Sequence, residues 1–554
     1  MLLSVGLALL ASPAHAEDWP AGATLDNALY ADITPQGFES IAALIPALLP
    51  SYIEIPDASG EGGYWCFNYA YGLAGGWVSL VVADARIVPM DGYLDVTANL
   101  LVNVNDASDP FDLYTEVACI GSTCGGHVTA FPVDLHTTIA LDVVSDGAGG
   151  QRLDATLGAF EIDNGLSSSD IQLDGCALGS IEDVLNFFGI SLFDLILGPL
   201  EDALLGSVGD LGPTLETTIE DAFAAATIQQ TVDLNGVPLE VNLSPSDVTV
   251  TPAGVRVALG GGLDASAAPC VAAYDTGGSL KTPSDPPGIG AAPAGVSTPY
   301  HLGIGISDDF VNQALYSVWR GGVLCYTLGA DAGIPLDTGI LNALTGDALA
   351  PLFPESRPVT LRTVPKAAPT IALDGDHDLD LQLNRFDLEF YAQLDGRAAR
   401  VLAVQLDGTV GADLGFDGTT GALDVALDLA ADRLTPTVSY NELVPEANET
   451  ILGSFGTTFG NLLDTVVGGL LPELAFTLPS FSGIGLQDLE IASNGDWLGG
   501  YAFLGNVTYG SADGCGGCGG DSSGCGGGCT VGGTSIPHPL WVALGALVFL
   551  RRKR

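Results

Sequence analysis

The sequence contains few basic residues. Only 16 of its 554 residues are Lys or Arg, against 67 Asp or Glu, which gives a formal net charge of −51. A nucleic-acid partner is therefore disfavoured, because binding phosphates requires clustered Lys and Arg. Electrostatic docking on an anionic membrane is disfavoured for the same reason. Apolar residues make up 47% of the chain and charged residues only 15%, a composition typical of a globular protein and not of a charge-rich disordered one.

Residues that commonly catalyse reactions are also scarce. Outside the two ends of the chain, the only histidines are His127, His136, His301 and His377. Between those two ends, no G-x-S-x-G, H-E-x-x-H or Walker-type motif is present. We therefore expect no enzyme activity, no catalytic residue and no cofactor.

Alternating aspartates around His377 form the most concentrated polar feature. They are Asp374, Asp376, Asp378 and Asp380. Calcium binding would be the functional interpretation, but Leu379 and Arg385 stand where an EF-hand loop needs Gly and Glu. The period of two predicts the solvated face of a strand, so we expect no metal site.

The first 16 residues have the features of a secretory signal peptide. Residues 2–11 are apolar but too few to span a bilayer, and Ala14-His15-Ala16 is a small-residue cleavage motif. We therefore expect residues 1–16 to be removed and the protein to be exported.

The C-terminal end combines a Gly- and Cys-rich linker (506–538) with an apolar segment and a basic tail (539–554). The apolar run, 540–550, is about half of what a stable transmembrane helix needs. This layout resembles the bacterial tripartite C-terminal sorting signals, especially the Cys-containing MYXO-CTERM type of deltaproteobacteria. The resemblance implies cleavage of the tail and lipid modification of Cys525 or Cys529, at the outer membrane surface or outside a Gram-negative cell. A plain C-terminal membrane anchor is the alternative.

An even number of cysteines remains between the two ends. They are Cys66, Cys119, Cys124, Cys176, Cys270 and Cys325. In an exported protein such a set predicts disulfides. We favour the pairs Cys119–Cys124, Cys66–Cys176 and Cys270–Cys325, although the sequence alone leaves the connectivity open.

The first half of the body, residues 17–264, alternates between helical and strand patterns. Thr34 and Pro35 are suited to begin a helix, and apolar residues follow at helical spacing. This stripe consists of Phe38, Ile41, Leu44, Ile45 and Leu48. Strands are predicted near 96–104 and 139–143. A second helical stretch, about 180–224, includes Ile196 and Leu200 on its apolar side.

The same plan restarts after a proline-rich segment, 265–298, which we interpret as a linker. In the second half, 299–505, Ser307 is placed to cap a helix that Gly321 ends. The buried stripe of this helix includes Phe310, Leu315, Val318 and Trp319. Strands over about 367–430, a second long helix over about 440–470 and a final strand near 486–504 are then predicted. Leu463 and Val467 lie in the second long helix.

Three segments of the body carry a family resemblance. ITPQGFESIAALIPALLPSYIEIPD (33–57) resembles the opening of the bactericidal/permeability-increasing (BPI) and lipid-binding serum glycoprotein family. ISDDFVNQALYSVWRGGVLCYTL (306–328) resembles the start of that family's second domain, and LPSFSGIGLQDLEIASNGDWLGGYAFL (478–504) its closing strand. Their order and spacing extend the resemblance over about 28–505.

The resemblance implies an α+β fold of two tandem barrels. Each barrel is a strongly bent antiparallel sheet wrapped around a long helix, the two meet at a central sheet, and an apolar pocket in each holds acyl chains. The pocket residues would be Phe38, Ile41, Leu44, Leu48, Ile196, Leu200, Phe310, Leu315, Val318, Trp319, Leu463 and Val467. For any one of these, ordinary core packing is the simpler interpretation.

The resemblance also implies a function. The chain would bind phospholipid or another acyl lipid, with membrane contact through its tail or lipid anchor. Binding alone and binding with transfer both agree with the resemblance. The family's endotoxin binders carry a basic tip, whereas Arg86 and Arg152 are the only basic residues between 17 and 255, so binding of anionic endotoxin is not expected. The alternative is a structural or adhesion protein of the cell surface whose pockets are filled by side chains.

Overall fold

Antiparallel β-sheet dominates the computed structural model, with a few short helices among the residues that it describes. The described residues are 19–43, 46, 52–64, 67–117, 119–147, 150–164, 170–175, 216, 227–234, 236–282, 284–329, 336–373, 375–394, 396–419, 422–428, 433–455, 476–477 and 484–506. The predicted α+β fold is therefore observed as mostly sheet.

The strands before residue 280 are β1 (Trp19–Pro20), β2 (Leu25–Ile33), β3 (Tyr52–Glu54), β4 (Ala58–Tyr64), β5 (Phe67–Ala74), β6 (Trp77–Pro89), β7 (Leu94–Val104), β8 (Phe111–Val117), β9 (Ile120–Ser145), β10 (Gln151–Leu157), β11 (Glu161–Asn164), β12 (Ile171–Asp174), β13 (Ile228–Leu234), β14 (Val237–Thr251), β15 (Gly254–Asp264) and β16 (Gly278–Ser279). Those after it are β17 (Leu302–Ser307), β18 (Thr327–Leu328), β19 (Val359–Pro365), β20 (Thr370–Ala372), β21 (Leu379–Leu394), β22 (Arg397–Asp417), β23 (Ala422–Asp428), β24 (Leu434–Tyr440), β25 (Phe476–Thr477), β26 (Ile484–Asn494) and β27 (Trp497–Asn506).

The described helices are α1 (Pro35–Ala42), α2 (Asp308–Arg320) and α3 (Thr338–Leu344), with 3-10 turns at Ala350–Leu352 and Pro445–Ala447. Residues 448–455 are also helical. The starts of α1 and α2, predicted from Thr34 and Ser307, are confirmed. The predicted helix over 180–224 lies outside the described residues apart from residue 216, and that over 440–470 is described only as far as 455.

The chain divides into two compact units. Unit 1 contains the described residues of Met1–Asp32, Ala225–Asp247 and Arg256–Arg554, and unit 2 those of Ile33–Ala224 and Val248–Val255. Residues on both sides of the proline-rich segment therefore belong to unit 1. The domain boundaries drawn at 264 and 299 stay a prediction.

The sheet of unit 2 is organised around the 26-residue strand β9. Its order is β3-β6-β7-β9-β8-β5-β4, and β10, β11 and β12 also pair with β9. The first part of β9 pairs with β8, and the part from Val128 to Ile139 pairs with β7. The long strand β9 thus pairs with β8 in its first part and with β7 further along.

Besides the two-stranded pair of β1 and β16, two larger sheets include strands of unit 1. In one, β22 pairs with β21, β23 and β24, in the order β18-β19-β21-β22-β23-β25 with β20 beside β21. Gly408 in β22 allows a close approach of the neighbouring strand: its φ is 151°, and a Cβ there would lie 2.2 Å from the Arg433 carbonyl oxygen. The other sheet, β13-β14-β15-β2-β17-β27-β26, combines strands from both halves of the sequence.

Two sequence predictions about strands are wrong. The final strand predicted near 486–504 is a hairpin of β26 and β27. Asn494 pairs with Trp497, so Gly495 and Asp496 form the two-residue turn between them, and Gly495 has a φ of 64°. The aspartates around His377 do not form the face of one strand either. Asp376 and Asp378 lie in bends, and β21 begins only after them.

The proline-rich segment is attached to unit 1 along its length. Its β16 pairs with β1 near Trp19, and the Ser297 hydroxyl donates to Glu490 over 2.7 Å. Arg256 donates to the Pro287 carbonyl oxygen over 2.6 Å. The segment predicted as a linker therefore packs on the unit.

Candidate functional site

One face of the unit 2 sheet is apolar and buried. On β7, Ala98, Leu100 and Val102 are buried, whereas Asn99 and Leu101 between them are exposed. This alternation follows from the period of two in a strand. The residues that join in this face are Ile55, Leu73, Val78, Ala98, Leu100, Val102, Val104, Phe111, Leu113, Val128, Phe131, Val133, Leu135 and Ile171. The result is a continuous apolar surface within unit 2.

Helix α1 packs against β6 beside this face. The Thr34 hydroxyl accepts a hydrogen bond from the Gly37 amide over 3.4 Å, which satisfies one of the free N–H groups at the start of the helix. Phe38 is buried and Ile41 is half-buried. Leu44 and Leu48, predicted for the same stripe, lie outside the described residues.

Helix α2 occupies unit 1 and begins with a buried acidic turn. The Ser307 hydroxyl accepts from the Phe310 amide over 3.1 Å, and Gly321 forms the C-cap as predicted. Phe310 and Trp319 are each 1% exposed, whereas Leu315 and Val318 are half-buried. The predicted apolar stripe therefore exists as a buried surface of the unit.

Trp319 contacts the proline-rich segment and the end of β19. Its indole N–H donates to the Pro365 carbonyl oxygen over 2.8 Å, and it packs with Tyr316 against Val271. The Tyr316 hydroxyl donates to Asp275 over 2.6 Å. These contacts hold α2 in place, and lipid binding by its side chains stays a prediction.

A second apolar cluster of unit 1 surrounds α3, which the sequence analysis missed. The Asp337 carboxylate accepts from the amides of Gly339 (2.9 Å) and Ile340 (3.0 Å), so an N-cap aspartate was the available signal. The cluster consists of Leu341, Leu344, Leu349, Phe353, Val359, Leu388, Phe390, Ala392, Val401, Leu402, Val404, Leu406, Ile451 and Phe455. Each unit thus has its own apolar face with helical residues against it.

Several predicted residues cannot be placed. Outside the described residues lie Leu44, Leu48, Ile196, Leu200, Leu463, Val467, Cys66, Cys176, Cys525 and Cys529. Their roles stay predictions.

Cys270 and Cys325 form a disulfide that closes a 55-residue separation, as in the favoured pairing. Cys124 is also disulfide-bonded, but the favoured Cys119–Cys124 pair is wrong. Cys119 is exposed in the turn between β8 and β9, with a φ of 65°, whereas Cys124 lies further along β9 opposite Leu113. Four residues of strand separate their backbones by roughly 13 Å, beyond the ~7 Å that a disulfide spans.

The cluster at His377 is a network of ion pairs. His377 Nδ1 lies 3.0 Å from Asp413 and Nε2 lies 3.3 Å from Asp428, while Arg433 contacts Asp428 (3.1 Å) and Asp380 (3.3 Å). The hydrogen bond to Asp413 raises the pKa of His377. In the part of the chain that the structure describes, no group of three or more His, Cys, Asp or Glu side chains is arranged to hold a metal ion.

A buried ion pair joins Asp32 of β2 to Arg256 of β15, and the two strands are neighbours in the same sheet. The Asp32 carboxylate accepts from Arg256 Nε (2.7 Å) and Nη2 (2.6 Å), and the guanidinium lies 4.2 Å from the centroid of the Tyr30 ring. Asp32 is 2% exposed and Arg256 8%. Burial raises the pKa of Asp32 above its usual range, and the bonds to Arg256 oppose that rise.

The acidic turn of α2 receives the proline-rich segment. The Thr282 amide donates to Asp309, and its hydroxyl donates to Asp308. Burial raises the pKa of Asp308 to about 6, and the charges of Asp309 and Asp496 add to that rise. Oδ1 of Asp308 has no hydrogen-bond partner among the described residues. The first turn of α2 therefore buries two carboxylates next to each other.

No described helix is both long and apolar enough to cross a membrane.

The comparisons with known proteins bear on the fold. No protein-family model matches the chain, and no curated protein matches it by sequence. Among solved structures, lipopolysaccharide binding protein is similar at a TM-score of 0.50 and 15% identity, covering 87% of this chain and 100% of that one. P47 from Clostridium botulinum A2 (TM-score 0.27, 9% identity, 86% of this chain and 97% of that one) is also found. So is Takeout 1 of Epiphyas postvittana (TM-score 0.20, 9% identity, 31% and 90%). The last two scores are too low to support an argument.

The resemblance to the BPI family, inferred from three sequence segments, is confirmed at the level of the fold. The similarity to lipopolysaccharide binding protein extends over nearly the whole described body. The relationship of the C-terminal tail to bacterial sorting signals stays a prediction.

Proposed function

We propose that this protein binds lipid, with acyl chains lying against the apolar faces of its two units. The main support is the fold, which it shares with lipopolysaccharide binding protein. The apolar clusters beside α1 in unit 2 and around α3 in unit 1 are consistent with two such sites. We further propose the arrangement that the resemblance implies, two bent-sheet barrels each wrapped around a helix and joined by a central sheet.

The physical basis of binding is burial of acyl chains. Each CH₂ group removed from water contributes about 0.8 kcal/mol, so a long chain is held firmly by an apolar surface without any charged contact. A bilayer interior is similarly apolar, and transfer between the two costs little net free energy. Exchange of lipid with membranes would follow without covalent chemistry, which agrees with the expected absence of enzyme activity.

Anionic headgroups are poor candidates for the ligand. Most basic side chains of the body contact carboxylates within the molecule: Arg86–Asp84, Arg152–Asp154, Arg256–Asp32, Arg320–Asp275, Lys366–Asp387, Arg400–Glu389 and Arg433–Asp380. A phosphate group that bound one of these side chains would have to displace its carboxylate partner, and the net charge of −51 would oppose its approach. The lipid is therefore expected to differ from endotoxin in its headgroup.

We also propose that the protein is exported and retained at the cell surface. The support is the signal peptide at 1–16 and the tripartite C-terminal end. Intact mass of the mature protein tests this: a C-terminus at Cys525 or Cys529 with added lipid mass is expected. A chain that still ends at Arg554 would refute sorting by cleavage and leave the plain anchor.

Lipid extraction tests the binding proposal. The protein is purified without detergent, its mass is measured under native conditions, and extracted lipid is identified. We expect bound phospholipid or fatty acid, and uptake of a fluorescent acyl lipid by the stripped protein. Absence of both would refute lipid binding and favour the structural or adhesion protein.

A further inference from the structure

One edge of the unit 2 sheet ends in a long strand that lacks the usual protection. The strand order ends in β3 on one side and in β4 (Ala58–Tyr64) on the other. β3 has only three residues, which limits pairing with another chain, whereas β4 has seven and keeps one register with β5. Among the residues that the structure describes, β4 pairs with β5 alone. It contains no Lys, Pro or bulge, the features by which proteins block an exposed edge.

The outer side of β4 presents backbone hydrogen-bonding groups. The ladder with β5 begins at the Tyr64–Phe67 pair, and only two residues separate these positions in the sequence. The closing pair of a two-residue hairpin exchanges hydrogen bonds, and bonded and non-bonded pairs alternate from there. Ser59 and Glu61 therefore direct their N–H and C=O groups away from β5. Both residues are exposed, so a further strand can reach these groups.

The core face of β4 consists of glycines beneath tyrosine rings. A Cβ at Gly60 would lie 2.5 Å from the ring of Tyr71, and one at Gly62 would lie 2.5 Å from the hydroxyl oxygen of Tyr69. The rings thus cover the backbone of the edge strand, which is how aromatic side chains compensate for glycine in a sheet. Tyr71 also packs against the apolar cluster of unit 2. Glycine within a strand often marks the close approach of another backbone, and apolar side chains of an added strand would extend this aromatic surface.

Charge distinguishes between the two possible sources of an added strand. Glu61 is the central residue of β4, so two copies of β4 paired antiparallel over their full length would place Glu61 opposite Glu61. Like charges directly opposite each other destabilise a strand pair. Between residues 33 and 224 the sequence has 28 acidic residues, and its two basic ones, Arg86 and Arg152, are paired with aspartates. A second copy of this chain is therefore disfavoured, and a strand with a basic residue is favoured.

We propose that β4 binds an extended segment of a partner protein by strand addition. In this segment apolar residues alternate with polar ones. The apolar residues lie beside Gly60 and Gly62 on the core face, and a Lys or Arg on the solvent face lies opposite Glu61. Hydrogen bonds to the backbone of Ser59 and Glu61 supply affinity, and the charge of Glu61 selects the partner. The interaction goes beyond lipid binding and requires no lipid.

Peptide binding to the full mature protein tests the proposal. The probe is the fluorescently labelled peptide Val-Thr-Val-Lys-Val-Thr-Val, and the comparison peptide has Glu in place of its Lys. In fluorescence polarisation, we expect the Lys peptide to bind about fivefold more tightly than the Glu peptide. Glu61→Lys, at an exposed position, should reverse this preference. Absence of binding by both peptides, or a preference that Glu61→Lys leaves unchanged, would overturn the proposal.

Proline variants test the backbone contacts. Ser59→Pro removes an outward N–H and keeps Glu61 and the hydrogen bonds to β5. Gln229→Pro on the edge strand β13 is the matched control, because Gln229 also lies five residues before the closing pair of a two-residue hairpin, Leu234–Val237. Gln229, Gln230 and Thr231 are all exposed, so β13 offers no apolar face to an added strand. We expect Ser59→Pro to weaken binding of the Lys peptide about tenfold and Gln229→Pro to leave it unchanged.

Hydrogen exchange locates the bound peptide. We expect the Lys peptide to slow exchange of the amides of Ser59 and Glu61 and to leave exchange in β13 unchanged. Unchanged exchange at β4, or equal loss of affinity in the two proline variants, would contradict strand addition at this edge. A wild-type protein that self-associates, and that becomes monomeric in Ser59→Pro without ever binding the peptides, would identify a second copy as the occupant and overturn the partner protein.

Discussion

The buried pair of Arg256 and Asp32 allows a sharp test of what stabilises unit 1. Arg256→Met removes two hydrogen bonds to Asp32, one to the Pro287 carbonyl oxygen and the contact with the Tyr30 ring, and leaves the carboxylate nearly without solvent. Breaking a buried ion pair in this way costs about 3–5 kcal/mol. Because Asp32 is 2% exposed, we expect a loss of about 4 kcal/mol in the free energy of unfolding of unit 1.

A double-mutant cycle separates the pair from the packing around it. Asp32→Val with Arg256→Met removes both charges, so the double variant should recover most of the loss, to within about 1 kcal/mol of the wild type. The single variant Arg256→Met should also gain stability as the pH falls from 7 to 5. The reason is that Asp32, whose pKa burial already raises, then takes up a proton in the folded state and no longer carries an unpaired charge.

Urea unfolding followed by tryptophan fluorescence measures these differences. Trp497 lies 5.2 Å from Tyr30 between ring centroids and so reports on this part of unit 1. A loss below about 1 kcal/mol for Arg256→Met, or a double variant whose loss equals the sum of the single ones, would refute the reasoning.

Three further predictions concern the disulfide, the acidic turn and the apolar face. Replacing Cys270 and Cys325 by Ser opens a loop of 55 residues and should lower the free energy of unfolding by about 4 kcal/mol; an unchanged urea midpoint would contradict this. Asp308→Asn keeps an acceptor for Thr282 and should stabilise the protein at pH 7. Burial raises the pKa of Asp308 to about 6. At pH 7 the wild type therefore folds with a buried charged carboxylate, which lowers its stability. The advantage of the variant, about 1–2 kcal/mol after solvent screening, should disappear as the pH falls from 6 towards 4; a constant difference in urea titrations over this range would be evidence against it. Ala98→Phe fills the apolar face of β7 and should reduce uptake of a fluorescent acyl lipid severalfold, whereas Asn99→Phe on the opposite face should not; equal uptake by the two would show that the face is not used.

Features determined by neighbouring residues could be predicted from the sequence. The starts of α1 and α2 depend on single side chains, Thr34 and Ser307, that accept hydrogen bonds from amides three residues later. The strand at 94–104 depends on alternation within one segment. Such local chemistry is visible in the sequence.

Features that depend on distant residues were missed. The aspartates near His377 were predicted as one strand face, but Asp413, Asp428 and Arg433 join them from further along the chain. The Cys119–Cys124 pair failed because the register of β8 and β9 moves Cys124 away from the turn. The hairpin of β26 and β27 is different, because its turn residues, Gly495 and Asp496, are adjacent and the glycine is a turn signal within the sequence itself.

Bound lipid is the most direct test of the account. Protein purified from its exporting cells without detergent is extracted, and the lipid per molecule is determined by mass spectrometry. Lipid binding predicts phospholipid or fatty acid at a fixed ratio, with zwitterionic species dominant and anionic ones depleted relative to the membranes of the same cells. Protein that contains no lipid, and that takes up none from vesicles, would contradict the account.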